Sequence, residues 1–436
     1  MFRKVIGTLG ARIFCTLISF GIVIINSHEF GPSGLGTIGL FLLGVTILQN
    51  LTSFVGGPSL VYMLPRNNVF QLIFLSYVFN LLINILGTYF LFVLNLIPKE
   101  FVWHLFFASI FFSLYYINSL VILSHEKIKI YNILSLIQII IQLLLMVILL
   151  FLLHVKEISA FIYAYLFSYV LVALISIPYI WKDLKFNGFN NIFLLLKQML
   201  SYGFIIQIAN FAQLLNYRLS YYIIEFCSGR KALGLFDLGT KLSEAVWILP
   251  KSMATVQYAR ISNCKDNIAY AKKLSLAFLK LSFVFAFCAT LFLVCLPAQW
   301  IAWIFGPEFM ESKKLLYVLA LGIVLFSCNI IVSHYFSSFG LYKINAIASL
   351  IGVIITAGLG ISLIPWFSNK SYMDVILGVG GITSLSYISS FIYTFIRFIK
   401  HSHLKFKELW FDKKDIHLLQ TEIKKILRNH DKNKAI

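Results

Sequence analysis

The sequence predicts an all-α integral membrane protein with about twelve transmembrane helices, and three observations support this fold class. The 436 residues are 60% hydrophobic and only 12% charged, a balance that soluble globular domains do not have. The apolar runs are about 20 residues long, the length that a helix needs to cross roughly 30 Å of hydrocarbon. They also lack the strict alternation of lipid-facing barrel strands, so helices are the expected spanning elements.

Polar breaks between the apolar runs divide the chain into spans. The first run could be mistaken for a signal peptide, but Arg12 interrupts it and no small-residue cleavage site follows Asn26. We therefore count it as the first of twelve spans, at about 8–27, 37–64, 70–97, 101–123, 131–154, 158–181, 199–226, 233–259, 274–296, 314–338, 344–366 and 373–397. The corresponding domains are an N-terminal lobe (1–181), a cytoplasmic linker (182–198), a C-terminal lobe (199–400) and a basic cytoplasmic tail (401–436).

Basic residues set the expected orientation of the spans. The net charge of +19 does not predict a nucleic-acid partner, because most lysines and arginines fall in alternate loops and in the tail. Such residues in short loops mark the cytoplasmic side of a membrane protein. Both termini are therefore predicted to be cytoplasmic, with Ser33, Lys231 and Lys370 outside. The tail has the pattern of a basic amphipathic helix, which either lies on an anionic leaflet or is simply solvated.

A short repeat connects the two halves of the chain. Parts of FGPSGLGTIGL (30–40) recur in CSGRKALGLFDLG (227–239) at a constant offset of 198 residues: Gly31, Leu35 and Gly36 match Gly229, Leu233 and Gly234. Two six-helix halves are implied. Because six is even, the halves share one orientation, as parallel repeats do in some secondary transporters.

Residues 201–261 carry ions inside two apolar spans that a short glycine-containing loop is expected to join. The ions are Arg218, Glu225, Asp237, Lys241, Glu244 and Lys251. A charge at a helix centre costs roughly 2.5 to 3.5 kcal/mol even on the mildest scale, so it normally faces a partner or a water-filled cavity. At 100° per residue, four of these ions form one narrow stripe on the second helix: Asp237, Lys241, Glu244 and Lys251. This stripe is expected to line a wet space.

Two arginines and several amides are further candidates for a polar cavity. Arg12 and Arg218 lie about 8 to 9 Å from the midpoints of their spans, where snorkelling to the interface is strained. The predicted substrate-binding residues are therefore Arg12, Arg218, Lys241 and Lys251. The predicted cavity-lining amides are Asn26, Gln49, Asn50, Asn210 and Gln213. The alternative for the amides is that they are polar contacts between helices.

Signatures of enzymes and ATP-driven pumps are missing from the sequence. It contains no Walker A or HExxH motif. Its six cysteines are scattered without a CxxC pair, which predicts neither a disulfide framework nor a metal site. No cofactor is expected. A membrane-embedded enzyme that modifies or polymerises glycans stays an alternative, with His334 as its candidate group, although such enzymes normally bring an acidic metal site or a large external loop.

Several short motifs resemble those of the polysaccharide flippases, the Wzx-type exporters of O-antigen and other repeat units. They are FGPSGLGTIGL after the first span, the polar helix with Asn216, Tyr217 and Arg218, the G-x4-G turn, Pro250, FGPEF and SSFGLYK (337–343). These exporters share a superfamily with the multidrug-and-toxin extruders and the lipid II flippases. The resemblance covers essentially the whole chain. Tyr217 departs from it, because family members often have an aspartate directly before the arginine of the seventh span.

The resemblance implies two six-helix lobes around a central cavity, and a transporter instead of an enzyme. Its substrate would be an undecaprenyl-pyrophosphate-linked oligosaccharide, moved across the bacterial cytoplasmic membrane for surface polysaccharide, O-antigen and lipopolysaccharide synthesis. Intramembrane cations suit a pyrophosphate. Asp237 and Glu244 would either pair with Lys241 or take H⁺ or Na⁺ as a coupling ion.

The resemblance also implies partners and an alternative. Membrane lipids and the polymerase and glycosyltransferases of the same pathway are the expected partners of a flippase. A cation-coupled multidrug exporter of the same superfamily is the alternative transporter. The charge of the cavity separates the two, because cationic drugs favour an acidic lumen whereas this one is expected to be net basic.

Overall fold

The computed structural model describes residues 2–64, 67–181, 191–263, 268–367 and 370–409. Every regular element in these ranges is helical, in agreement with the predicted fold class. The α-helices are α1 (Phe2–Gly56), α2 (Pro58–Met63), α3 (Val69–Val93), α4 (Val102–Ser124), α5 (Ile128–Val147), α6 (Ile158–Trp181), α7 (Ile192–Ala245), α8 (Ile248–Asn263), α9 (Ile268–Cys295), α10 (Ala298–Phe305), α11 (Ser312–Ser338), α12 (Tyr342–Phe367) and α13 (Tyr372–Ser402). A π-helical turn follows α5, and short 3-10 turns cover Lys99–Phe101, Pro307–Phe309 and Phe406–Leu409.

The helices are long and apolar enough to account for the predicted topology. In the described ranges nine helices are suited to crossing a membrane, and the bent pair Ile192–Phe204 and Ile206–Ala245 makes ten. The 55 residues of α1 would extend about 80 Å as one straight helix, more than twice the hydrocarbon thickness. Because α1 and α7 each contain a sharp break, each supplies two crossings. With two crossings for each, the helices of the described residues account for the predicted twelve spans.

The break in α1 lies at Gly31, where φ is 60° and ψ is −169°. This backbone region is essentially restricted to glycine, because a side chain there would clash with the backbone. Pro32 follows directly and suits the first turn of the next helix, where no backbone N–H is required. Residues 28–36 were predicted to lie between the first two spans. Instead they are helical on both sides of Gly31, and this single residue separates the two spans.

The break in α7 has the same geometry as the break in α1. At Gly229 φ is 73° and ψ is −173°. A Cβ at this position would meet no atom within 4 Å, so the backbone conformation alone requires glycine. The predicted loop between the seventh and eighth spans is wrong, because the chain bends at this one residue. The matching conformations confirm the repeat, and its leucines, Leu35 and Leu233, are both buried.

A second turn separates α7 from α8. It is closed by the backbone N–H of Trp247, which donates to the carbonyl of Glu244 at 2.9 Å. Pro250 lies in the first turn of α8, where its missing N–H removes no helical hydrogen bond. The prediction of one continuous eighth span at 233–259 is wrong in this respect. Lys251 therefore belongs to a different helix from the other ions of the predicted stripe.

The chain divides into two compact units, Lys4–Phe211 and the part that begins at Ala212. In the N-terminal unit α4 packs against α3, α5 and α6, and α5 also packs against α6. In the C-terminal unit α11 packs against α9, α12 and α13, and α12 also packs against α13. The two units thus repeat one packing arrangement, as the sequence repeat predicted. Each has its own core of fully buried side chains, among them Val55, Leu72, Ile117 and Val172 in the first and Trp247, Phe326, Tyr335 and Phe398 in the second.

Parts of two predicted segments lie outside the described residues. The linker was predicted at 182–198, and its residues 182–190 are in this group, so that boundary stays a prediction. The predicted amphipathic tail helix lies beyond residue 409, also outside the described ranges. The beginning of the tail is tied to α9, because Lys272 Nζ lies 2.6 Å from Glu408 and donates to the His403 carbonyl at 3.2 Å.

Candidate functional site

Arg218 and Glu244 form a bidentate ion pair inside the C-terminal unit. Both belong to α7, on opposite sides of Gly229, and the bend at that glycine brings the two side chains together. Two guanidinium nitrogens of Arg218 donate to the two carboxylate oxygens of Glu244, at 2.7 and 2.9 Å. Parallel charge-assisted bonds of this kind fix orientation as well as distance. The pair stays accessible, with side chains that are 24% and 18% exposed.

Asp237 is enclosed by groups that neutralise its charge. The Tyr221 hydroxyl donates to Asp237 Oδ1 at 2.7 Å, and Lys241 Nζ lies 2.7 Å from Oδ2. Lys241 follows one turn later on the same helix, so the expected internal pairing is confirmed for Asp237. For Glu244 that pairing is wrong, because its carboxylate binds Arg218. Asp237 is only 1% exposed, which shields its ion pair from water.

Lys251 is a cation of the predicted stripe that forms no ion pair of 4 Å or less within the described residues. Its Nζ lies 5.4 Å from the centroid of the Trp247 ring, one turn earlier in the chain, in a cation–π contact. Trp247 is fully buried, and its Nε1–H donates to the Ile323 carbonyl at 3.1 Å. A fixed ring therefore positions Lys251 while the N–H donors of its ammonium group remain available.

A cluster of aromatic rings supports these ions. Its ring centroids lie between 4.7 and 6.2 Å apart, and its members are Tyr217, Trp247, Phe326 and Tyr387. Tyr217 occupies the position where the resembling exporters often carry an aspartate. Its ring packs into the cluster, so this position supplies no carboxylate to Arg218. Glu244 supplies that carboxylate instead, from the far side of the bend.

The predicted site residues of the first two spans lie in the N-terminal unit. Arg12 is exposed on α1, and no acid among the described residues forms an ion pair with it. Asn26 is 2% exposed, and within the described ranges its Oδ1 accepts no hydrogen bond. Gln49 donates to the Ser53 hydroxyl at 2.9 Å, one turn later on the same helix. These three side chains are thus held separately along α1.

The remaining predicted amides are bonded to other polar side chains. Gln207 Nε2 donates to the carbonyl oxygen of Asn50 at 2.8 Å and to its Oδ1 at 3.1 Å, while Asn210 donates to Gln207 Oε1 at 3.2 Å. Gln207 therefore joins the predicted pair Asn50 and Asn210. Gln213 lies in the other unit, where it donates to the Tyr217 hydroxyl at 2.9 Å. The contact of Gln207 with Asn50 fits the alternative of polar contacts between helices.

Comparison with known families identifies the group to which this chain belongs. The profile of a family described as polysaccharide biosynthesis proteins matches residues 68–314, more than half of the chain. The chain belongs to this family. A search of the curated proteins by sequence finds no match.

Solved structures similar to this family member show its fold. An inward-facing multidrug resistance MATE family transporter of the MOP superfamily aligns with a TM-score of 0.70 at 14% identity, covering 91% of this chain and 98% of that one. The lipid II flippase MurJ, in an inward closed conformation, aligns with a TM-score of 0.68 at 16% identity, covering 92% and 88%. A MOP superfamily transporter from Pyrococcus furiosus Vc1 (DSM3638) gives 0.64 at 13% identity, covering 93% and 96%. The fold is that of MOP superfamily transporters.

Two residues of the candidate site were missed by sequence reasoning. Tyr221 donates to Asp237, and its ring lies 5.0 Å from the Arg218 guanidinium carbon. Trp247 makes the cation–π contact with the Lys251 ammonium. Both aromatic residues are three or four positions from their cation, a spacing that places two side chains on one helix face. This spacing is the feature of the sequence that could have identified Tyr221 and Trp247.

The described residues offer little support for an enzymatic site. Among them, no group of three or more histidine, cysteine, aspartate or glutamate side chains could hold a metal ion. The ring of His334 is bonded through Nδ1 to the carbonyl of Ile330 at 2.9 Å. This histidine is therefore packed against its own helix, as expected for a structural residue.

Proposed function

We propose that this protein is a flippase that moves an undecaprenyl-pyrophosphate-linked oligosaccharide across the bacterial cytoplasmic membrane. The observation that carries the proposal is membership of a polysaccharide biosynthesis family. A transporter fold shared with the lipid II flippase MurJ supports it, because lipid II is also a lipid-linked glycan. The exported repeat unit would serve a surface polysaccharide such as O-antigen. Glycosyltransferases and a polymerase of the same pathway would supply and consume it.

The proposed substrate contacts are cations within the spans. The proposed contacts of the pyrophosphate group are Arg12, Arg218, Lys241 and Lys251. Arg218 and Lys251 are the strongest candidates among them. Arg218 presents a planar fork that matches phosphate geometry, and the Lys251 ammonium forms no ion pair of 4 Å or less among the described residues. The amides Asn26, Gln49, Asn50, Asn210 and Gln213 would line the path of the sugar.

We assign coupling to the two carboxylates of the bent helix. Glu244 is the stronger candidate for taking H⁺ or Na⁺, because its side chain is 18% exposed whereas Asp237 is 1% exposed. Neutralising Glu244 would release the Arg218 fork. Asp237 would have to leave both Tyr221 and Lys241 before it takes a cation.

A multidrug exporter is the second candidate, and the similarity to a MATE family transporter favours it. The pattern of charges argues against it. In the C-terminal unit Glu244 and Asp237 are both neutralised by cations, and among the residues that the structure describes Lys251 adds a positive charge that forms no ion pair. Such a site is suited to an anion and repels a cationic drug.

The test of the proposed function is the position of the lipid-linked oligosaccharide in cells that lack the protein. We expect it to accumulate in the cytoplasmic leaflet, and export to return with the wild-type chain. Susceptibility to several cationic drugs is measured in the same strain. An unchanged leaflet distribution with raised drug susceptibility would replace the flippase with the multidrug exporter.

A further inference from the structure

Glu244 has the geometry of a substitute for a phosphate group. Its two oxygens occupy two nitrogens of the Arg218 fork, at 2.7 and 2.9 Å. A carboxylate and a phosphate present oxygens to a guanidinium in the same bidentate manner. While Glu244 is bound, another anion cannot bind through the same two Nη donors.

The surroundings hold Arg218 in place independently of Glu244. The Arg218 guanidinium carbon lies 5.0 Å from the centroid of the Tyr221 ring, and the Tyr221 hydroxyl is anchored to Asp237 at 2.7 Å. The Tyr221 side chain is buried. We therefore expect the Arg218 guanidinium to keep its contact with the Tyr221 ring when Glu244 is removed.

The pair is accessible enough for exchange. Exposed fractions of 24% for Arg218 and 18% for Glu244 place parts of both side chains at the protein surface, unlike the 1% exposed Asp237. Lys251 lies in α8, after the turn that follows Glu244, and Glu244 accepts the Trp247 N–H through its own backbone carbonyl. Displacement of the Glu244 side chain thus requires a rotamer change without loss of this backbone bond.

We infer that Glu244 is an internal competitor, which occupies the Arg218 fork in the resting protein and is displaced by the pyrophosphate or phosphate group of the substrate. This inference rests on the proposed function for the identity of the substrate. The competitor keeps the fork neutralised between substrates and lowers its apparent affinity, so that a bound anion can leave. It is a positioning residue that acts through Arg218.

The expected size of the effect follows from the population of the open fork. An apparent dissociation constant equals the intrinsic constant divided by the fraction of protein that is competent to bind. If the fork is free in about a tenth of the molecules, removing the competitor tightens binding about tenfold. Structural damage has the opposite effect, because it weakens binding.

The experiment measures binding of inorganic pyrophosphate to the purified full-length protein by calorimetry. We expect Glu244→Gln to bind about tenfold more tightly than wild type, and the double variant Arg218→Gln/Glu244→Gln to lose the gain. Glu225→Gln is the matched control, because it removes one negative charge from α7 next to Arg230, away from the Arg218 fork. Glu244→Asp, which keeps the charge on a shorter chain, tests the same point should the glutamine variant fail to fold, and a smaller gain is expected.

Two results would overturn the inference. One is that neither Glu244 variant binds pyrophosphate more tightly than wild type. The other is an equal gain in Glu225→Gln, which would assign the effect to net charge. Failure of the flippase proposal is distinguishable, because it appears as an unchanged leaflet distribution of lipid-linked oligosaccharide and leaves the pyrophosphate constants unaffected.

Discussion

The bends at Gly31 and Gly229 have the same backbone and different chemistry. Both glycines take φ near +60° to +73° with ψ close to −170°, at an offset of 198 residues. After the first bend the chain is neutral, whereas after the second it is charged. The matched positions are Gly39 for Asp237, Leu43 for Lys241, Thr46 for Glu244 and Ser53 for Lys251.

This difference separates what the fold requires from what the site requires. A membrane bundle needs breaks between its spans, and a glycine supplies such a break in both units. It does not need the ions, because the N-terminal unit completes the same bend with neutral side chains. A charge inside a span has a substantial energetic cost, so ions that follow the second bend but not the first indicate a function for this part of the C-terminal unit.

The largest expected effect is the loss of export in Arg218→Ala. This variant removes the fork that binds Glu244 and, in our proposal, the substrate. Export of surface polysaccharide should fall at least about tenfold, while Arg218→Lys keeps part of it because the charge remains and the planar fork is lost. The matched control is Thr46→Ala, the neutral counterpart of Glu244, whose hydroxyl donates to the Leu42 carbonyl of its own helix. Normal export by Arg218→Ala at wild-type protein level would contradict the comparison.

Replacing the two bend glycines should have equal effects. Gly31→Ala and Gly229→Ala each place a side chain in a glycine-only region, at a cost of roughly 1–3 kcal/mol. Thermal unfolding in detergent measures the loss of stability. The control is Gly358→Ala on α12, where a Cβ meets no atom within 4 Å and φ is not positive, so a neutral or slightly stabilising change is expected. A loss in only one bend variant would show that the bends are not equivalent.

A smaller effect is expected from Lys251→Gln. Lys251 offers a point charge instead of a fork, so export should fall about fivefold, less than in Arg218→Ala. The matched control is Lys314→Gln, which removes an exposed cation near Glu311 at the start of α11. Export measured at equal protein level decides the result. A fall as large as that of Arg218→Ala would make Lys251 the principal anion receptor.

The smallest effect is expected at the tail contact. The hydrogen bond from Lys272, followed by the backbone bond from Lys405, lowers the pKa of Glu408 from its usual 4.5. The contact therefore stabilises the fold above that usual value and is lost as the pH falls through the lower folded-state pKa. Because the Glu408 side chain is 40% exposed and the contact is screened by water, the contribution is about 0.2–1 kcal/mol. Glu408→Gln should remove this part of the acid dependence of unfolding, and an unchanged acid midpoint would show that the contact contributes nothing.

Most of the fold was predictable because membrane helices are specified by length and composition. The spans, the repeat and the two units follow from apolar runs and from glycines at a fixed offset. The details that failed were local. Nothing in the composition shows that Gly31 and Gly229 turn the chain in one residue, because that depends on backbone dihedrals. The turn before α8 was also missed, since Pro250 fits either a kinked or a newly started helix.

The ions of the site were predictable, but their pairing was only partly so. Asp237 and Lys241 pair because four residues separate them on one helix. Arg218 and Glu244 are 26 residues apart, and they meet only because of the Gly229 bend. The sequence showed that Tyr217 departs from the exporters that this chain resembles. Only the structure shows that Glu244 supplies a carboxylate to Arg218 instead. The pairing of two residues across a bend depends on the geometry of the bend, which the sequence does not show.

The most direct test of the account uses the purified protein in proteoliposomes. The measured quantity is the rate at which an undecaprenyl-pyrophosphate-linked oligosaccharide reaches the opposite leaflet. We expect the wild-type protein and Thr46→Ala to move it at similar rates, and Arg218→Ala to be at least about tenfold slower. A wild-type rate equal to that of protein-free vesicles, or an Arg218→Ala rate equal to wild type, would contradict a flippase that uses the ions of the second bend.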